Sequence, residues 1–192
     1  MADDTRDKMI IGAAGVLAQR GLQGTSFSEV IEATGAPRGS IYHHFPGGKD
    51  EMIGEAIFLL GGSVAERIRA IEATRPEQVS DEFIEGWREF ARATDLKAVC
   101  AVSAATVGTG ADAQELLPAV ASTFASWQDA LAEAYARTGV TKADSKRLAT
   151  TTVAALEGAL ILARAQQSME PFDAVQHDLA AMARAARRGR ST

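Results

Sequence analysis

Residues 38 to 49, Arg-Gly-Ser-Ile-Tyr-His-His-Phe-Pro-Gly-Gly-Lys, gather the side chains of this 192-residue chain best suited to meeting a polyanion. Arg38 offers a forked donor that fits a guanine edge, and Gly39 leaves room for close approach. Ser40, Tyr42, His43 and His44 carry hydroxyl or ring N–H groups of the kind that hold phosphates. On a helix, at 100° per residue, Ile41 and Phe45 fall on one side. Gly39, Ser40 and His43 fall on the other, with Tyr42 and His44 at the borders and Arg38 in the first turn. This face suits the major groove of double-stranded DNA, although a solvated cap on a small helical domain uses the same residue types. Lys49 follows a glycine pair and opens the next helix, where unpaired amides and the positive dipole end favour an anion such as phosphate. The alternative is a solvated lysine paired with Asp50 or Glu51.

Other chemistry finds few residues. His43 and His44 are adjacent, hence splayed on a helix, and His177 stands apart, so no metal site is expected. Cys100 is the lone cysteine, which excludes an intramolecular disulfide. It lies in an apolar segment without a nearby base, as a core or pocket residue would. Gly47-Gly48-Lys49 lacks the other residues of a P-loop. Gly108-Thr109-Gly110-Ala111-Asp112-Ala113 matches G-x-G-x-x-A after an apolar run, Ala98 to Val107, that could pass for a strand. A dinucleotide fold would need further parallel strands and an acidic residue at a strand end, whereas Glu133 sits in a helical pattern. No cofactor is expected. The enzyme alternative is an α-helical one using a C-terminal pocket.

The elements that must position residues 38–49 are three short helices. The first runs from about Asp4 to Arg20, with Met9, Ile10, Ala13, Val16 and Leu17 on one stripe and Gly21 as its stop. The second opens at Ser26, with Glu29 completing a capping box, and ends at Gly35. The third starts with Pro37 at its first position and reaches Phe45. Two helices joined through Gly35-Ala36 and preceded by a supporting helix form the helix-turn-helix pattern. Alanine supplies 38 residues and aromatics only 6%, a composition that leans to helix. Charge is sparse. The first 50 residues hold five basic and six acidic side chains within a total of −5, so any DNA surface must be small and local.

The order Gly21-Leu22, Thr25-Ser26-Phe27, Glu29-Val30-Ile31, Thr34-Gly35, Arg38-Gly39-Ser40-Ile41-Tyr42-His43-His44-Phe45-Pro46 and Lys49 resembles the signature of the tetracycline-repressor (TetR) family of transcriptional regulators. The form Tyr-His-His-Phe-Pro-Gly-Gly-Lys is similar to the LmrA-like subgroup. Two departures stand out: Pro37 replaces the usual Ser or Thr, and Phe45 to Lys49 is one residue longer than the usual spacing. The resemblance implies an all-α chain of about nine helices. Residues 1–48 would be the helix-turn-helix DNA-binding domain and 49–192 a helical ligand-binding and dimerisation domain. DNA contacts would come from Thr25, Ser26, Arg38, Gly39, Ser40, Tyr42, His43, His44 and Lys49.

Beyond Asp50 the periodicity gives five or six further helices: about Lys49–Ala73 closed by Pro76, Gln78–Thr94, a small-residue segment Leu96–Thr109, Asp112–Arg137, Thr141 or Asp144 to Gln167, and a last one after Pro171. Trp87, Phe90, Cys100, Val107, Phe124, Trp127 and Leu131 give more aromatic surface than Ala-rich helices readily interlock around. They line either an effector pocket or a filled core. The last two helices are apolar around much of their circumference, so a homodimer contact is expected through Val153, Leu156, Leu160, Phe172, Val175, Leu179 and Met182; the alternative is a buried central helix. No apolar run approaches a membrane span and the N-terminus is acidic, so no membrane partner and a cytoplasmic location are expected. Together these give a ligand-responsive DNA-binding regulator, a repressor released from a palindromic operator by a small apolar or aromatic molecule.

Overall fold

Nine helices make up the regular structure of the computed structural model, which describes residues 2–107 and 111–188; among these residues there is no strand. They are α1 (Ala2–Arg20), α2 (Phe27–Thr34), α3 (Arg38–His44), α4 (Lys49–Arg69), α5 (Pro76–Ala93), α6 (Ala101–Ala104), α7 (Ala111–Arg137), α8 (Lys142–Gln166) and α9 (Glu170–Arg188). The run that could pass for a strand, Ala98 to Val107, contains α6 at its centre, with no regular structure at 98–100 and a turn at 105–107. The G-x-G-x-x-A reading thus loses its strand, and its residues 108–110 lie outside the described residues.

Punctuation explains most boundaries. Ser26 caps α2, accepting from the Glu29 amide at 3.3 Å. Thr141 caps α8, accepting from the Asp144 amide at 3.1 Å. Pro76 does not close α4 as expected: α4 stops at Arg69, and Pro76 opens α5. There its missing amide costs nothing, and the Gln78 side chain accepts from the Thr74 and Arg75 amides at 3.0 and 2.9 Å.

Backbone contacts divide the chain into two compact units, one of residues 1–62 with 98–123, the other of 63–97 with 124–192. The division falls inside α4 and α7 rather than at residues 48/49. In the first unit, Met9, Ile10 and Ala13 of α1, Val30 of α2, Ile41 and Phe45 around α3, and Met52 and Ala56 of α4 share one core. α6 packs on α1, and the Val99 amide donates to the Ala18 carbonyl at 2.9 Å. Gly61 allows α4 to come close to α7, because a Cβ there would lie 2.3 Å from Thr123 Cγ2.

In the second unit, α9 packs along α5 and α8. Arg88 is buried there with its charge met: Nη1 donates to Asp173 at 2.6 Å, Nη2 to Gln176 at 2.8 Å, and the guanidinium lies over Phe172. The Tyr135 hydroxyl meets Thr152 Oγ1 at 2.9 Å in full burial, tying α7 to α8. Contrary to expectation, α8 is long and apolar enough, by length and composition alone, to cross a membrane. Just under half of its apolar window is buried within the chain, as a core helix's would be.

Candidate nucleic-acid interface

The turn before α3 is built to present it. Gly35 caps α2 at φ 67°, a left-handed conformation that glycine adopts without strain, and its amide donates to the Ile31 carbonyl. The Thr34 hydroxyl donates to Val30 and accepts from the Ala36 amide, closing the corner. Pro37 then stands in extended conformation as the N-cap, one residue outside the position expected for it, and offers no side-chain cap. Ile41 and Phe45 are fully buried and seat α3 on the core. Burying two such side chains stabilises by roughly 1.5–3 kcal/mol each, enough to hold a helix of seven residues that would not form alone.

The opposite face agrees with the expected one. Arg38, Gly39, Tyr42 and His43 are exposed, and Ser40 and His44 are half-buried. Gly39 is open in a telling way: a Cβ there would meet nothing within 4 Å, so the fold itself does not require glycine at this point. Tyr42 is 68% exposed, yet its ring is held edge to face by Phe27, with centroids 5.3 Å apart and planes at 88°. The Ser40 hydroxyl donates to the Pro37 carbonyl at 2.7 Å, so it faces outward as an acceptor unless it rotates. The Ser26 hydroxyl only accepts in its cap, and its proton remains available to a phosphate.

Thr25 requires a correction. It is 1% exposed, and its hydroxyl donates to the Gly21 carbonyl at 2.9 Å. It staples the α1–α2 turn and presents no surface for DNA. Glu29 forms an ion pair with Arg20, and Arg6 of α1 pairs with Glu55 of α4 while lying over the Phe45 ring, 5.3 Å from its centroid. Lys49 opens α4 as expected. The Glu51 carboxylate accepts from the Gly47 amide at 2.7 Å.

The second unit brings together part of the expected effector set. Trp87, Phe90, Phe124 and Trp127 form a chain of ring contacts at 5.4–5.8 Å between centroids, with Trp127 and Leu131 fully buried. Cys100 and Val107 fall in the first unit. Cys100 is buried at the start of α6, whereas Val107 is largely exposed.

The expected dimer residues divide differently from the expectation. Val153, Leu156, Leu160, Phe172 and Leu179 are buried within this chain and Val175 is half-buried, because α8 and α9 turn that stripe toward each other and α5. A partner cannot reach the five buried ones without unpacking the core. The apolar surface left open lies on a second stripe that runs through Ala154, Gly158, Ile161, Leu162 and Ala165 on α8. Its counterpart on α9 runs through Ala174, Ala181, Met182 and Ala185. Ile161, Leu162 and Met182 are 57%, 48% and 45% exposed. Of the seven expected residues only Met182 lies on it.

Among the described residues no group of three or more His, Cys, Asp or Glu side chains could hold a metal ion. Residues 10–56 match the family model "Bacterial regulatory proteins, tetR family", and residues 76–178 match "Transcriptional regulator LmrA/YxaF-like, C-terminal domain". An HTH-type transcriptional regulator of Mycobacterium tuberculosis (strain H37Rv) is 34% identical over 179 residues, covering 91% of each chain. The HTH-type transcriptional regulator LmrA of Bacillus subtilis (strain 168) is 27% identical over 176 residues, 88% of this chain and 91% of that one. The fold is shared with a crystal structure of regulatory protein TetR from Rhodobacter sphaeroides at a TM-score of 0.80 and 19% identity, over 92% of this chain and 97% of that one.

Proposed function

The chain belongs to the TetR family of bacterial transcriptional regulators, with an LmrA/YxaF-like C-terminal domain, and from this we propose that it is a homodimeric, cytoplasmic repressor that a small apolar or aromatic effector releases from a palindromic operator. The observation that carries the reading is the division of α3, with Ile41 and Phe45 sunk in the core and Arg38, Gly39, Tyr42 and His43 turned outward. Arg38 reads a base edge, Gly39 admits the DNA closely, and Tyr42, His43, Lys49 and the Ser26 hydroxyl hold phosphates. One such helix reads only a few base pairs. Useful affinity needs a second copy on a half-site about one helical turn away, roughly 34–36 Å. The second copy would seat on the open stripes of α8 and α9, burying Ile161, Leu162 and Met182 in a four-helix contact.

Release follows from linkage. An effector that binds better when α4 has swung draws the dimer into a state whose recognition helices no longer match the half-site spacing. The aromatic cluster of Trp87, Phe90, Phe124 and Trp127, with Leu131, is where such a molecule would bind. A regulator of this kind performs no covalent chemistry, and none is assigned to it.

The test is to capture duplexes from a random pool with the purified protein, with and without a panel of aromatic compounds, and to sequence what is retained. The expected result is a palindrome with half-sites one turn apart, and loss of that enrichment with at least one compound. Retention of duplexes with no common sequence would overturn the repressor reading.

A further inference from the structure

Resting on the reading of α3 as the DNA-facing helix, we infer that Phe27 is a positioning residue: it aims the Tyr42 ring at a phosphate before DNA arrives. Tyr42 is mostly in solvent, where an aromatic side chain on a helix ordinarily samples several rotamers. Here one edge contact opposes that freedom, the perpendicular packing on Phe27 at 5.3 Å. The contact bridges two helices. Phe27 is the first residue of α2, fixed by Ser26 in the cap on one side and by partial burial against the three-helix core on the other. Its ring thus links Tyr42 of α3 to the capped start of α2, next in sequence to Ser26.

The physical effect is preorganisation. A tyrosine that must be immobilised on binding loses rotamer entropy at that moment, whereas one already held loses little. An edge-to-face aromatic pair is strong enough for this, its worth corresponding to a roughly three- to tenfold difference in a binding constant. Since the group delivered is a neutral hydroxyl to a phosphate, the contribution is the same for every sequence, and the number of counterions released does not change.

The experiment is a double-mutant cycle on affinity for the palindromic duplex that the wild-type protein enriches. The four proteins are wild type, Phe27→Leu, Tyr42→Phe and the double variant, with Phe27→Tyr as the ring-retaining control. Thermal melts confirm that each is folded at the assay temperature, and Phe27→Met replaces the leucine variant if that one is not. The expected result is a three- to tenfold loss for Phe27→Leu in the wild-type background and no further loss on Tyr42→Phe. Cognate and scrambled duplexes should weaken alike, the salt slope should be unchanged, and Phe27→Tyr should bind normally. Equal losses in both backgrounds would assign Phe27 to the fold alone and overturn the inference, as would no loss in either or no effect of Tyr42→Phe. If wild type enriches no duplex, the DNA-facing reading of α3 itself fails, an outcome distinct from the others.

Discussion

Arg38 is the one forked donor on α3, and its exposure leaves it able to lie along a base edge. Replacing it with Ala should cost roughly 1–3 kcal/mol at one position per half-site and relax base preference there. Lys49→Ala should instead weaken all duplexes about equally. A panel of single-base operator variants separates the two, and an unchanged ratio of cognate to scrambled binding in Arg38→Ala would remove Arg38 from base reading. Tyr135 supplies a residue-level prediction on stability. Burial pushes its phenol above the ordinary value of 10, with hydrogen bonding to Thr152 and Ser80 opposing only in part. The folded state thus holds this proton more tightly than the unfolded chain does. The contribution is fully present below pH about 10 and is lost as pH rises through the raised folded value. Chemical denaturation at pH 9 and 11 should show a fall in stability for wild type that Tyr135→Phe reduces; an equal fall in both proteins would place the alkaline transition elsewhere. Residues of this kind show where sequence stops. The placement of Arg38 and Tyr42 on the open face of α3 and of Lys49 at the start of α4 was legible from periodicity and punctuation. Thr25 was not: a threonine that staples a turn and one that holds a phosphate look the same until burial is known.

Among the elements, α4 is constrained by a close approach to its neighbour. It carries Gly61 against Thr123 of α7, at a distance that no side chain tolerates. Gly61→Ala should destabilise the protein by roughly 1–3 kcal/mol, the usual cost of overpacking, even though alanine is the better helix former. Thr123→Ser removes the offending methyl group and should recover part of the loss in the double variant. Urea denaturation of the three variants checks this, and a Gly61→Ala protein as stable as wild type would show that the helices separate without cost. The long helices were readable because hydrophobic period and capping residues agreed. α6 was not, since four residues of Ala, Val and Ser have no period to read and take their helical form from packing against α1. Which stripe of α8 and α9 is buried within the chain was not legible for a related reason. In Ala-rich helices apolar residues occur on every side, so the pattern establishes that a stripe is buried but not which one.

At the scale of the whole molecule, the dimer contact proposed for Ile161 and Leu162 would join operator affinity to protein concentration. Ile161→Glu with Leu162→Glu should convert a dimer into a monomer in sedimentation at micromolar protein and reduce operator affinity by at least a hundredfold, while leaving helix content unchanged because neither side chain is in the core. A double variant that still sediments as a dimer would move the contact elsewhere. The division of the chain into interleaved units has a consequence for synthesis. The unit that holds α1, α2 and α3 is discontinuous in sequence: its second stretch, residues 98–123, leaves the ribosome after the 35 residues 63–97 that belong to the other unit. At about 5–20 residues per second, α1 waits several seconds before the strip containing Val99 reaches it, with its α6-facing side uncovered throughout. The core shared by Met9, Val30, Ile41, Phe45 and Ala56 is thus complete in the nascent chain before the strip that covers the other side of α1 has been made. A copy cut short by a premature stop before residue 98 would carry that core with the α6-facing side of α1 bare.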